Sequence, residues 1–200
     1  MGSVPALAAA GQVTEFPVAQ GTPGTVPGVP GNPMVLGSDS NIWFSTTGPV
    51  TIGRITPTGQ IAQFADPNPS ASYAAHLTLG SDGNVWFLDV QGLSNSVESV
   101  GRVTPAGQIS EFPIPAFKGN PVSVNQMARG SDGGVWFTAN SHNGRVLSNG
   151  VVGRVATTGQ ITEFGTPTAV SDPTDMASGS DANIWFDEDS AHAIGRITNH

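Results

Sequence analysis

An all-β propeller, carrying four blades of four antiparallel strands in one chain, is the fold this sequence predicts, and three observations predict it. One eight-residue phrase is written four times: GSDSNIWF (37–44), GSDGNVWF (80–87), GSDGGVWF (130–137) and GSDANIWF (179–186). A second phrase follows each copy: IGRITPTGQIAQF, VGRVTPAGQISEF, VGRVATTGQITEF and, at the end, IGRITNH. The only four Trp residues fall inside the first phrase at 43, 86, 136 and 185, so the repeat is 43 to 50 residues long. That period is the range of a four-stranded propeller blade.

Each unit resolves into four short strands. HLTLG (76–80) stands for strand A, NVWFL (84–88) for B, VGRVT (100–104) for C and QISEF (108–112) for D. They are β-branched and aromatic runs, joined by SDGN and TPTGQ turns of the hairpin type. No segment carries helical periodicity. The repeat units run about 11–56, 59–104, 107–155 and 159–198 within a single domain, 11–200, after a flexible segment, 1–10. The chain opens on GQVTEF (11–16), a D strand with no preceding C, and closes on IGRIT (194–198), a C strand with no following D. Pairing 11–16 with 194–198 would close the ring and remove two sheet edges. That leaves two ring sizes open: a four-bladed monomer, or a strand-exchanged homodimer sharing eight blades.

Composition narrows the function. There are 26 Gly and 16 Pro, placed between apolar runs as turn residues, and 38% of the chain is hydrophobic, enough for a core. Cys is absent, which excludes disulfides and Cys-ligated zinc. Net charge is −8, with seven basic residues and Lys118 the single Lys, so no basic stripe exists for nucleic acid. No apolar run reaches the roughly 18 residues of a membrane-spanning helix. The LAAA run near the start and the scarcity of Lys fit an exported protein, while Met-Gly-Ser is equally what an expression tag leaves behind.

The repeated residues read as structural. Trp and Phe of each WF point to opposite faces of the sheet and pack into it. Asp39, Asp82, Asp132 and Asp181 lack the ligand spacing of a calcium loop and suit turn chemistry. Arg54, Arg102, Arg154 and Arg196 recur in every unit, as anchors of a turn or a neighbouring carbonyl should.

Function is expected where the units differ. The A–B and C–D turns are uniform, whereas the B–C and D–A connections vary, from STTGPVT (45–51) to TANSHNGRVLSNGVV (138–152). Variable connections share one end of a propeller, often the binding end. Two positions per unit lie there near the axis: Pro33, His76, Gln126 and Asp175 at the start of strand A, then Thr46, Asp89, Ala139 and Glu188 after WF. His76, Asp89, Asp175 and Glu188 could hold Mg²⁺ or Ca²⁺, or form an acid–base pair, with His192 a further candidate. His142 and Arg145, in the longest B–C connection, join Gln126 as binding-face residues. The competing reading is a solvated channel mouth, in which the acidic run Asp187 to Asp189 is a wet loop.

GSDGNVWF followed by the IGRITPTGQITEFP pattern closely resembles the repeat of the streptogramin B (virginiamycin B) lyase family, across Gly11 to Thr198. The resemblance implies seven-bladed propellers that linearise cyclic depsipeptides by Mg²⁺-assisted elimination, with a His base and an acidic metal ligand near the axis. His76 matches the family's His before a GxDG turn, Glu188 its WF-x-Glu position, and Asp89 is a shortened version. On that resemblance His76 would be the base, and Asp175 and Glu188 would hold Mg²⁺, for a small molecule or peptide at the axial face. This chain carries four units rather than seven, and two of the four have no ionisable side chain at either axial position. The alternative is a non-catalytic ligand- or protein-binding scaffold.

Overall fold

The computed structural model describes residues 11, 13–18, 22–23, 34–47, 51–65, 67, 71–91, 96–144 and 146–198. The expectations for residues 1–10, Pro33 and Arg145 lie outside them. The first blade holds β2 (Met34–Leu36), β3 (Ile42–Thr47), β4 (Thr51–Ile55) and β5 (Ile61–Ala65), with β1 (Thr22–Pro23) paired to β3. The second holds β6 (Ala71–Leu79), β7 (Val85–Gln91), β8 (Ser96–Val103) and β9 (Ile109–Pro113). The third holds β10 (Val122–Arg129), β11 (Val135–Asn143), β12 (Val146–Val155) and β13 (Ile161–Gly165). The fourth has three strands, β14 (Met176–Ser178), β15 (Ile184–Glu188) and β16 (Ala193–Ile197). Every pairing is antiparallel, and a Thr47–Tyr73 bridge links the first two blades. The all-β expectation holds, with one three-residue 3-10 turn, Asp189–Ala191, as the exception among the described residues.

Alternation along the strands builds the joints between blades. Trp43 and Ile52 of the first blade cluster with Val85, Phe87 and Val103 of the second. Trp86, Leu88 and Val100 of the second meet Val135, Phe137 and Val151 of the third. Trp136 and Val152 of the third meet Met176, Ile184 and Phe186 of the fourth. So the Trp side of one blade receives the Phe side of the next. The first three Trp are almost fully buried and stack on the D-strand Phe of their own blade, Trp43 on Phe64, Trp86 on Phe112 and Trp136 on Phe164, at 5.6, 5.6 and 6.1 Å. Such pairs contribute about 0.5–1.5 kcal/mol beyond the area they bury.

The GSD phrase is the wiring of this joint. Its Asp accepts hydrogen bonds from its own Trp, as Asp39 Oδ1 does from Trp43 Nε1 at 3.1 Å and Asp82 Oδ1 from Trp86 Nε1 at 3.2 Å. Its Ser donates to a turn carbonyl of the following blade: Ser38 to Gly83, Ser81 to Gly133 and Ser131 to Ala182. A Cβ on Gly80 would collide with Asp82 and the Trp86 indole, which is why glycine opens the phrase. Two of the four arginines reach neighbouring carbonyls as expected, Arg54 Nη1 to Pro105 at 2.6 Å and Arg102 Nη1 to Thr157 at 2.7 Å, whereas Arg154 donates to Asp132 and Arg196 pairs with Asp181.

Two details depart from the sequence reading. The stretch 138–152 is a long hairpin rather than a loop, because β11 and β12 run on past the blade and meet at Asn143–Val146. Thr138, Ala139, Asn140 and Ser141 are buried and continue the pleat, so their polar groups are spent on the ladder and on neighbours. At the start of the chain, Val13–Val18 form no ladder, and β16 is the last strand of its sheet among the described residues. Phe16 instead lies against Gly59, in the C–D turn of the first blade.

Candidate functional site

Two side-chain hydrogen bonds join His76, Gln126 and Asp175 in one line across the second, third and fourth blades. His76 sits where the β6–β7 register shifts between Ala75 and Thr78, with φ 51°. That left-handed backbone is uncommon for a residue with a Cβ. The imidazole is buried, and Nδ1 lies 2.5 Å from Gln126 Oε1.

The amide is oriented by its other contacts. Met127 N–H donates to Gln126 Oε1 at 2.9 Å, and Gln126 Nε2 donates to Asp175 Oδ1 at 3.3 Å. Oε1 is therefore the acceptor, Nδ1 carries the hydrogen, and Nε2 is left as the basic nitrogen. Burial pushes the His76 pKa down, against opposing pulls from Gln126 and the Asp175 charge. The downward shift favours the neutral ring, the state a proton acceptor needs.

Asp175 is held in turn. Its N–H donates to Asp187 Oδ1 at 2.8 Å, and Thr174 gives Asp187 its N–H and hydroxyl. Burial works to raise Asp187, but these hydrogen bonds outweigh it and hold its carboxyl below the usual value. The segment 166–175 is fastened over the third blade: Asn125 Nδ2 donates to Pro173 O at 2.6 Å, and Asn140 Nδ2 to Asp172 Oδ1 at 2.6 Å. Asp187 and Asn140 are positioning residues that the repeat pattern did not single out. The acidic run read as a wet loop instead begins with the anchor of Asp175. Its clue was there: Asp187 follows WF directly and so falls inside strand B.

The other expected residues lie apart from this line. Asp89 is fully buried in β7 and accepts a hydrogen bond from Ser99 Oγ at 3.2 Å. Glu188 ends β15, buried, with Oε1 unpartnered. It shares a shallow hollow with Asp187, Asp189 and the exposed His192. His142 is half-buried at the tip of the long hairpin. Among the described residues, no three His, Asp or Glu side chains converge as a metal site. Asp175, Asp187 and Asp89 each accept a hydrogen bond, from Gln126, the Asp175 N–H and Ser99 respectively.

The model of the virginiamycin B lyase family matches residues 1–200. Selenomethionine-substituted virginiamycin B lyase from Staphylococcus aureus is 35% identical over 83% of this chain and 51% of its own, with a TM-score of 0.67. A catalytically inactive His-to-Ala variant of the S. aureus enzyme with quinupristin is 34% identical over 84% of this chain and 52% of its own, at 0.66. A streptogramin B lyase structure is 34% identical over 93% and 55%, at 0.68. Curated proteins give no significant match. The chain spans about half the length of these solved relatives. On the family match and these identities, the chain belongs to the virginiamycin B lyase family.

Proposed function

We propose that the loop-rich axial end binds a cyclic peptide ester or a similar small molecule, and that His76 is the proton acceptor of a carbon–oxygen elimination there. The observation that carries this reading is a contact: the buried His76 Nδ1 lies 2.5 Å from Gln126 Oε1, which also accepts from Met127 N–H, and this assigns the hydrogen to Nδ1 and the proton-accepting role to Nε2. Nε2 removes a proton from the carbon next to a carbonyl. The released electron pair forms a carbon–carbon double bond, the neighbouring carbon–oxygen bond breaks, and its electrons leave on the carboxylate. Proton transfer by a positioned group is worth about 10² to 10⁴ in rate. Among the described residues no three His, Asp or Glu side chains form a shared cage, so no step is routed through a divalent cation. An axial pocket walled on all sides needs a closed ring, so closure belongs to this reading.

The test is incubation with quinupristin, the ligand bound by the inactive relative. Elimination opens the ring without adding water, so the linear product keeps its parent's mass, whereas hydrolysis adds a water. His76→Ala should abolish this conversion while leaving the melting transition intact. Turnover that survives in His76→Ala removes His76 from the chemistry.

A second reading is a binding propeller without catalysis, favoured by the long β11–β12 hairpin and by the unpartnered Nε2 of His142 near its tip. It expects exchange of residues 138–152 to abolish ligand binding and His76→Ala to leave it unchanged. The reverse pattern rejects it.

A further inference from the structure

Asn-Gly occurs twice in the sequence, at Asn143–Gly144 and Asn149–Gly150, and both pairs lie on the β11–β12 hairpin. The dipeptide is reactive because glycine has no Cβ to shield its backbone nitrogen. That nitrogen attacks the carbonyl carbon of the asparagine side chain when the backbone lets the two atoms meet. The two pairs are alike in sequence and opposite in surroundings.

Asn143 ends β11 and faces Val146 across the ladder, so Gly144 opens a two-residue turn. Its φ of 65° is the conformation that the first position of such a turn requires. Gly144 has no ladder partner, and a Cβ there would meet nothing within 4 Å. Both residues are exposed, and among the described residues the Asn143 side chain has no hydrogen-bond partner.

Asn149 is held on every side. Its backbone pairs with Ser141, and Nδ2 donates to Ser141 Oγ at 3.2 Å and Ser148 Oγ at 3.3 Å. Gly150 is buried opposite Asn140, and its carbonyl accepts the Thr166 N–H at 3.0 Å. A Cβ on Gly150 would strike Ser171 and Thr166. Bringing the Gly150 nitrogen onto the Asn149 side chain therefore requires this stretch of β12 to leave the ladder, which carries the free-energy cost of a local opening.

We propose that Asn143 is a site of spontaneous modification, converting to aspartate and isoaspartate in the folded protein, and that the fold protects Asn149. The Gly144 nitrogen bonds to Asn143 Cγ, the Cγ–Nδ2 bond breaks, and ammonia leaves with the proton of the Gly144 amide. Water then opens the cyclic imide. Attack at Cγ gives aspartate, and attack at the backbone carbonyl gives isoaspartate, whose main chain runs through Cβ and Cγ. Either product adds a negative charge at the tip of the longest B–C connection. Isoaspartate also lengthens the main chain by a methylene, which the Asn143–Val146 pairing across a two-residue turn has no slack to absorb. This inference is independent of whether the axial site is catalytic.

Trypsin cleaves after Arg145 and so places the two asparagines on separate peptides. The intact chain is incubated at mildly alkaline pH, sampled over time and mapped by mass, with isoaspartate counted by isoaspartyl methyltransferase. In native buffer Asn143 should convert, and Asn149 should do so about tenfold more slowly or less. In denaturant the two should convert at similar rates. Equal conversion in native buffer overturns the proposal, as does a native Asn143 no faster than Asn149. A difference that persists in denaturant would assign it to sequence rather than fold and overturn the protection of Asn149. Gly144→Ala has room for its Cβ and should slow conversion at Asn143, and an unchanged rate would exclude the cyclic imide.

Discussion

His76 and Gln126 stand fifty residues apart on adjacent blades, yet the imidazole Nδ1 and the amide Oε1 lie 2.5 Å from each other. That contact fixes the tautomer of a buried ring and ties it, through Asp175, to the fourth blade. Gln126→Leu should therefore lower the His76 pKa further, because the lost hydrogen bond is one of the influences holding it up. Proton NMR of the imidazole against pH reads this directly, and an upward shift would show that Gln126 does not support the ring.

The turn carboxylates should be worth more inside the array than at its end. Asp132→Ala strands the buried Trp136 Nε1 and the Gly134 N–H, at a cost of about 1–3 kcal/mol. Asp181→Ala should cost less, because Trp185 can turn to water. Denaturant midpoints of the two variants decide the matter, and equal losses would count against an exposed fourth face.

Asp132 also sets an acid limit. Burial raises its pKa, but hydrogen bonds from Arg154, Trp136 and Gly134, with the Arg154 charge, bring it below the ordinary 3.8. The stability it contributes is present above that value and is lost as pH falls through the lower folded pKa. Wild type should lose melting temperature below about pH 4 more steeply than Asp132→Ala.

Glu163 behaves in the opposite sense. Burial lifts its pKa from 4.5 to about 7, and Oε1 has no hydrogen-bond partner. The protonated form favours the fold, so stability falls as pH rises from 4.5 through about 7. Glu163→Gln should melt higher than wild type at about pH 8 and equally at about pH 5. A variant that melts lower at both values would mean the carboxylate has a partner in solution.

Gly101 is a packing constraint rather than a hinge. A Cβ there would enter the Phe87 ring, and both residues are buried in the joint between the first two blades. Gly101→Ala should destabilise by about 1–3 kcal/mol, the range for overpacking a filled core. A neutral result in thermal unfolding would show that the ring moves aside.

The blades were legible because the sequence repeats what the joint repeats: glycine, serine, aspartate and tryptophan each make the same contact in successive units. His76 and Asp175 were legible too, since side chains that break the repeat near the axis are conspicuous. Gln126 was visible only as a binding-face residue, because nothing in one strand reveals that its amide bridges two others. Asp187 was hidden in an acidic run, where composition suggests solvent and only register places the carboxylate under Thr174 and Asp175. The long β11–β12 hairpin was hidden for a related reason. Polar residues that pair across a ladder look, one by one, like a loop.

The central claim is a neutral His76 with its hydrogen on Nδ1 and its lone pair on Nε2. Nitrogen-15 NMR of the imidazole in the intact chain measures both properties at once. The account predicts the Nδ1–H tautomer and a pKa below the ordinary 6.5 of histidine. An Nε2–H tautomer, or a pKa above 6.5, would contradict it.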